Sequence, residues 1–329
     1  MTAAPRVRQD PAMQILVTGS AGHLGEALVL SLRDAGHRVR GLDRLPSPTT
    51  DLLGSITDAD VVARAVAGVD AIVHTATLHK PHVDTHPRQA FVDTNVTGTL
   101  QLLEAAVREG CPRFVFTSTT STFGRALTPA PGEPAAWITE AVTPVPKNIY
   151  GVTKTAAEDL CALFHRDHGL ACVVLRTSRF FPEDDDDPAA RARASSDNLK
   201  ANEFLYRRVE LADAVAAHVA ALDRADAIGG RRYIISATTP FVPADAPRLA
   251  LDAAAVIRER FPDAAAIYAA RGWQLPATLD RVYDNTAARR ELGWQPRFDF
   301  RHVLDRVRAG DDVLGPLAAR VGAKGYHRR

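Results

Sequence analysis

A short apolar run, Ile15 to Val17, passes into Thr18-Gly19-x-x-Gly22-x-x-Gly25 and then into Glu26 to Arg33, whose apolar spacing is helical and stops at Gly36. The run has the length of a buried strand. Gly19 permits a tight turn, and Gly22 lets the backbone approach a diphosphate. Gly25 lets the helix pack on the strand, leaving amide groups at the helix N-terminus for phosphate oxygens. Strand, glycine turn and helix in that order form the setting of a dinucleotide-binding turn. A second strand, Arg38 to Leu42, ends in Asp43. A carboxylate there can accept both adenosine ribose hydroxyls and repels a 2′-phosphate, so NAD is expected. Arg44 beside it leaves NADP open.

The same alternation continues along the chain. Strands are expected near Asp51–Gly54 and at Val69–His74, Arg113–Thr117 and Leu170–Arg176. Helices are expected over Asp58–Ala67, Gln89–Glu109 with Gly110 as its stop, and Asn148–His168. Strands separated by helices of ten or more residues imply a doubly wound parallel α/β sheet covered on both faces, with ligands beyond the carboxyl ends of the strands. Further on, Glu210–Asp223 reads as a helix, Arg232–Ser236 as a strand and Ala253–Phe261 as a helix, and the chain from Trp273 is mixed. Between them, Glu183–Asp187 and the small, polar Ala189–Asn198 read as a solvated loop partly offset by Arg191 and Arg193.

Composition excludes several classes. Among 329 residues, 24% charged, the formal net charge is +1, which gives no electrostatic case for nucleic acid or an anionic membrane. Met1–Gln14 has no apolar run of the signal-peptide kind, and nothing approaches the ~18 apolar residues of a membrane span. Cys111, Cys161 and Cys172 are odd in number and unpatterned, as in a reducing compartment. A cytoplasmic protein is expected. His74, His79, His82 and His86 lack the carboxylate or cysteine pattern that would complete a metal site, so no metal is expected.

A phenol and an ammonium, Tyr150 and Lys154, stand four residues apart on the expected Asn148–His168 helix and so share a face. A nearby cation favours the phenolate, which can exchange a proton with a substrate hydroxyl or carbonyl.

With these motifs in this order, the chain resembles the extended short-chain dehydrogenases/reductases, the NAD-dependent epimerase/dehydratase family, in the manner of UDP-glucose 4-epimerase. Thr18–Gly25 is similar to the family's cofactor loop and Tyr150-x-x-x-Lys154 to its catalytic pair. His74–Thr77, Asn95–Thr99, Phe116–Gly124 and Asp284–Pro296 are similar to four further family segments. The resemblance implies a Rossmann domain over 12–180, to which 205–240 contributes a later helix and strand. A smaller, mixed C-terminal substrate-binding lobe would comprise 181–204 and 241–329.

It implies that Tyr150 moves the proton, that Lys154 bridges the nicotinamide ribose and holds Tyr150 near its phenolate form, and that Thr119 hydrogen-bonds the reacting oxygen. Cofactor contacts would come from Gly19, Gly22, His23, Leu24, Gly25, Asp43, Arg44, Ser55, Ile56, Thr75, Ala76, Thr77, Asn95, Thr117, Thr177 and Ser178, together with Tyr150 and Lys154. His23 would cover the pyrophosphate. Substrate contacts would come from His79, Ser121 and Arg179. Ser55 stands where relatives often carry the aspartate that recognises adenine. Arg179 stands about where nucleotide-sugar enzymes present an asparagine, and Arg207, Arg208, Arg271 and Arg281 are further phosphate candidates. The implied substrate is a sugar, in the first instance a nucleotide sugar, acted on by an epimerase or dehydratase; the alternative is a single-step NAD(P)-dependent dehydrogenase or ketone reductase on a non-nucleotide substrate. The resemblance also implies a homodimer through Asn95–Glu109 and Tyr150–His168, with Leu100, Leu103, Leu160 and Leu163 as apolar contributors.

Overall fold

The structure, a computed structural model, describes residues 12–185 and 187–325. Most of the Met1–Gln14 segment, read above as lacking an export signal, therefore lies outside the described residues, as does Asp186. In chain order the strands are β1 (Gln14–Thr18), β2 (Arg38–Asp43), β3 (Leu52–Leu53), β4 (Ala71–His74), β5 (Arg113–Thr119), β6 (Ala136–Ile138), β7 (Ala171–Thr177), β8 (Arg232–Ile235) and β9 (Arg281–Tyr283). Seven of them form one sheet in the order β3-β2-β1-β4-β5-β7-β8, every neighbouring pair parallel. β6 and β9 make a separate parallel pair.

The strands alternate between two buried faces, as a parallel sheet covered on both sides must. Ile15, Val17, Val73 and Val115 point into one core with Leu24 and Leu28 of α1 (His23–Asp34). Leu16, Ile72, Phe114 and Phe116 point into the other, where they meet Val62 of α2 (Ala59–Val66), Leu102 of α3 (Gly98–Arg108) and Ala157 of α4 (Ile149–His168). The first face is closed by α5 (Leu211–Ile228) through Leu211, Ala214 and Val215. A third core lies outside the sheet, where Phe204, Leu249, Ile257, Tyr268, Phe300 and Leu304 pack together.

Local signals place these boundaries. Asp58 caps α2 by accepting from the amides of Asp60 and Val61. Asn148 caps α4 through Gly151 N–H, and Gly169 ends it with φ +69°. Because β1 and β4 are neighbours while the chain leaves them toward opposite edges, the strand order reverses between them. The crevice for a ligand opens there.

Three expectations change. The single helix over Gln89–Glu109 is a short turn at Arg88–Phe91, a π-helical stretch at Val92–Thr97, and then α3. The polar stretch after the acidic run is not a loop. Asp187 caps a helix at Pro188–Arg193, and Ser195 caps another at Ser196–Glu203. The helix expected at Ala253–Phe261 begins earlier, at Ala246, and bends at Asp252, whose φ of −150° and ψ of 76° are not helical.

Candidate active site

The carboxyl ends of β1, β2, β4, β5 and β7 open into a cavity of about 1150 Å³. Its floor is the glycine turn. Gly19 has φ +75°, and a Cβ there would meet Ala76 N at 2.7 Å. A Cβ on Gly25 would lie 1.9 Å from the Gly19 carbonyl oxygen. Neither position accepts a side chain, so bare backbone faces the cavity in front of α1, which begins just after Gly22. That cradle fits a dinucleotide diphosphate.

At the adjoining end of β2, Asp43 accepts from Ala21 N–H at 3.0 Å and from Leu45 N–H at 2.9 Å. Each carboxylate oxygen keeps a lone pair for a ribose hydroxyl. Arg44, exposed, stands beside it. Ser55 and Ile56 line the next stretch of wall. The Ser55 hydroxyl also bonds Thr57 Oγ1 at 2.8 Å. Thr75, Ala76 and Thr77 follow β4, and Thr75 donates to Thr18 O at 2.7 Å. Gly22, His23, Leu24, Thr117, Thr177 and Ser178 also face the cavity.

Two expected site residues are not on the wall. The amide of Asn95 is fully engaged. Its oxygen accepts from Leu78 N–H at 2.8 Å and from Thr77 Oγ1 at 2.9 Å, while its nitrogen donates to Leu78 O at 2.9 Å and Thr153 Oγ1 at 3.0 Å. Asn95 therefore ties the loop after β4 to α4 rather than facing a cofactor, and the π-helical stretch is what carries it there. Next to it, Thr99 uses its proton on Asn95 O, so His74 Nε2 donates to Thr99 and His74 Nδ1 accepts from Thr18. Burial holds this imidazole well below its usual range, aided by the charge of Lys154. His74 is a core histidine.

Lys154 is the second. Its ammonium donates to Thr117 O at 2.7 Å and lies 3.9 Å from the centre of the Phe116 ring. Burial lowers it to about 7, against the opposing charge of Glu158 one turn further along α4. Tyr150, on the wall, is pushed up to about 12 by burial, with a hydrogen bond to Thr119 working the other way. The pairing expected from the i, i+4 spacing is thus not what sets the phenol here. Phenol and ammonium share a helix face, but Tyr150 is engaged with Thr119 and Lys154 with Thr117. Thr119 also accepts from Ser121 N–H at 3.1 Å, which fixes both hydroxyl-bearing residues at the end of β5.

Behind this set lies a buried support that the sequence reading passed over. The Glu158 carboxylate takes the Ser118 hydroxyl at 2.5 Å and a two-pronged grip from Arg176, whose Nη2 lies at 2.7 Å. Tyr150, Lys154 and Glu158 run at i, i+4 and i+8, so the signal was present in the spacing.

The cavity is also lined by His79, His82, Phe181, Arg179, Arg207 and Arg281. His79 stacks on Phe181 with centroids 5.4 Å apart. The acidic run is solvated only in part, with Asp184 and Asp187 exposed as expected and Asp185 drawn inward. The Asp185 carboxylate, 10% exposed, reaches Arg179 at 3.4 Å and Arg207 at 3.2 Å. Glu203 holds Arg207 at 2.8 Å and Arg208 at 2.6 Å. Arg179 and Arg207, both partly buried, hold the Asp185 carboxylate inward, whereas Arg191 gives only a guanidinium bond to the Asp185 carbonyl and Arg193 no ion pair among those described. Of the other phosphate candidates, Arg208 is fully buried and Arg271 lies away from the cavity, over Trp273. Among the described residues no group of three or more His, Cys, Asp or Glu could hold a metal ion. No described helix is long and apolar enough to cross a membrane.

A dinucleotide cradle at a topological switch point, with a threonine at the adjoining strand end and a tyrosine and a lysine on the helix packed beside it, defines a nicotinamide-dependent oxidoreductase of the short-chain type. The chain belongs to the NAD dependent epimerase/dehydratase family, whose model matches residues 15–236. It is 30% identical to the 3 beta-hydroxysteroid dehydrogenase/Delta 5→4-isomerase of Mycobacterium tuberculosis over 88% of each chain. It is also 30% identical to the dTDP-glucose 4,6-dehydratase of Streptomyces antibioticus over 90% of this chain and 91% of that one. A short-chain dehydrogenase/reductase superfamily protein from Agrobacterium tumefaciens, solved with bound NAD, superposes with a TM-score of 0.65 at 25% identity, covering 93% of this chain and 99% of the other. The protein is accordingly an extended short-chain dehydrogenase/reductase with NAD as its cofactor.

Proposed function

We propose that this enzyme is a single-step NAD-dependent dehydrogenase acting on a secondary alcohol, or on the matching ketone, in a substrate without a nucleoside diphosphate. The pairing of Asp185 and Glu203 with Arg179, Arg207 and Arg208 carries the reading. The guanidinium groups that could grip a substrate diphosphate two-pronged are here already held by carboxylates. Inserting a dianion beside Asp185 would set like charges together in a partly desolvated place.

The residues divide the work by position. When bound, NAD supplies the hydride acceptor at its nicotinamide. Gly19, Gly22 and Gly25 leave room for its diphosphate, Asp43 takes a ribose, and Ser55 and Ile56 flank the adenine side. Thr119 and Ser121 orient the reacting oxygen. Tyr150 exchanges the proton with that oxygen, and its raised pKa makes it a proton donor to a developing alkoxide at neutral pH, as ketone reduction requires. Lys154, set behind Thr117, supplies the positive charge on that side. His79 and the part of the wall drawn from 181–204 and 241–329 select the substrate. A dimer would form over α3 and α4, where Val152 and Leu163 are exposed while Leu103 is internal; size-exclusion chromatography with light scattering tests it.

A nucleotide sugar is the second reading, favoured by Arg207 and Arg281 in the cavity lining and by the likeness to a dTDP-glucose dehydratase. Absorbance at 340 nm separates the two. Non-nucleotide secondary alcohols, sugar acids and sterols among them, are expected to give one NADH per substrate oxidised, and uridine diphosphate is expected not to compete. Turnover of a UDP- or dTDP-sugar without net NADH, or competition by micromolar uridine diphosphate, would overturn the proposal.

A further inference from the structure

The glycine turn has a neighbour from the far end of the described chain. A short helix at Pro316–Val321 packs on the α1 side of the sheet through Ala318 and Val321, and the chain turns at Gly322 with φ +66°. It then crosses the start of α1. His23, buried inside the glycine turn, bonds the Gly322 carbonyl through Nδ1 at 3.0 Å. Lys324 N–H donates to Glu183 at 3.0 Å, and its ammonium reaches Glu26 Oε2 at 2.5 Å. Lys324 lines the same cavity as Gly22 and Gly25.

Glu26 is the partner of the Lys324 ammonium and lines the same cavity. A carboxylate in the first turn of a helix is favourable toward the helix dipole. Beside a diphosphate cradle it is the wrong sign, and Glu183 adds a second carboxylate to the same corner. The Lys324 ammonium, paired with Glu26 at 2.5 Å, offsets one of these two negative charges at the cavity. We infer that Lys324 is a binding residue for the diphosphate of the dinucleotide, and that the Gly322–Lys324 segment is a strap that holds it over the glycine turn. The inference rests on the cofactor alone and is independent of the substrate proposed above.

Calorimetric titration of the full chain with NAD, ADP-ribose and adenosine tests it. A charge-assisted hydrogen bond corresponds to about 10- to 100-fold in affinity. Lys324→Ala is expected to weaken NAD and ADP-ribose by that factor and adenosine by less than about 2-fold. Lys324→Arg, which keeps the charge, is expected to retain NAD affinity. Glu26→Gln in the Lys324→Ala background is expected to recover part of the loss, because it removes the carboxylate that Lys324 offsets. Unchanged NAD affinity in Lys324→Ala would overturn the inference. So would an equal loss for adenosine, which would mark the strap as a structural prop, or a double variant no tighter than the single.

Discussion

Replacing Glu158 by Gln tests whether the buried support beneath the catalytic helix holds the site together. The side chains of Glu158 and Arg176 are 1% and 4% exposed, and the carboxylate meets Arg176 Nη2 at 2.7 Å, Ser118 Oγ at 2.5 Å and Arg232 Nε at 3.3 Å. Glutamine keeps the volume but leaves the Arg176 charge buried without a counter-ion. Breaking a buried pair from one side costs about 3–5 kcal/mol. An unfolding entropy of about 2.1 cal/mol/K per residue gives about 0.7 kcal/mol/K for 329 residues. The expected fall in Tm is therefore about 4–7 °C, read by differential scanning calorimetry without cofactor at one scan rate. Adding Arg176→Met removes the orphaned charge, so the double variant should lose less than the sum of the two singles. Glu158 also opposes the burial of Lys154, so the pH profile of turnover should shift in the variant. A Tm within 1 °C of wild type, or strictly additive losses, would refute the reasoning.

Other expectations follow from single contacts. Gly25→Ala places a methyl group 1.9 Å from the Gly19 carbonyl oxygen, and moving that backbone should weaken NAD by about 10- to 100-fold in a fluorescence titration; full affinity would show that the turn can yield. Asp185→Ala frees Arg179 and Arg207, so pyrophosphate affinity should rise by about 10-fold or more in calorimetry; no gain would mean that the arginines are held by Glu203 alone. Burial lowers His23 and His218 from 6.5 to about 4. Between those pH values the unfolded chain binds more protons than the folded one, so stability falls as pH drops from 6.5 toward 4. His218, fully buried between Ala214 O and Thr117 Oγ1, would contribute about 3 kcal/mol to that fall. Urea unfolding at several pH values in His218→Gln should show a shallower slope, and an unchanged slope would discount the residue.

The parallel sheet was legible because its signals are local. Ile15–Val17, Val69–His74 and Arg113–Thr117 are apolar runs with both faces buried, and glycines stop the helices between them. The cofactor side of the site was legible for the same reason, since Gly19, Gly25 and Asp43 lie within one strand-turn-helix-strand unit. Lys154 was legible as a residue but not as a contact. Spacing puts it on the Tyr150 face, yet the Thr117 carbonyl that takes its proton comes from a strand whose placement spacing cannot give. Asn95 misled for a related reason: its amide is used up by Leu78, Thr77 and Thr153, partners that converge only in three dimensions. The acidic run misled most. A block of carboxylates looks solvated in sequence, but Arg179 and Arg207 draw Asp185 into the wall. Lys324 had no signal at all, because its meeting with Glu26 spans almost the whole chain.

In the proposed reaction Tyr150 exchanges the proton with the reacting oxygen beside bound NAD. With a confirmed substrate, the single-turnover rate of Tyr150→Phe measured by stopped-flow absorbance at 340 nm tests it most directly. Proton transfer by a positioned side chain contributes about 100- to 10,000-fold, so the rate should fall by that factor while the Kd for NAD stays within about 2-fold of wild type. A Tyr150→Phe enzyme that transfers hydride at the wild-type rate would contradict the account.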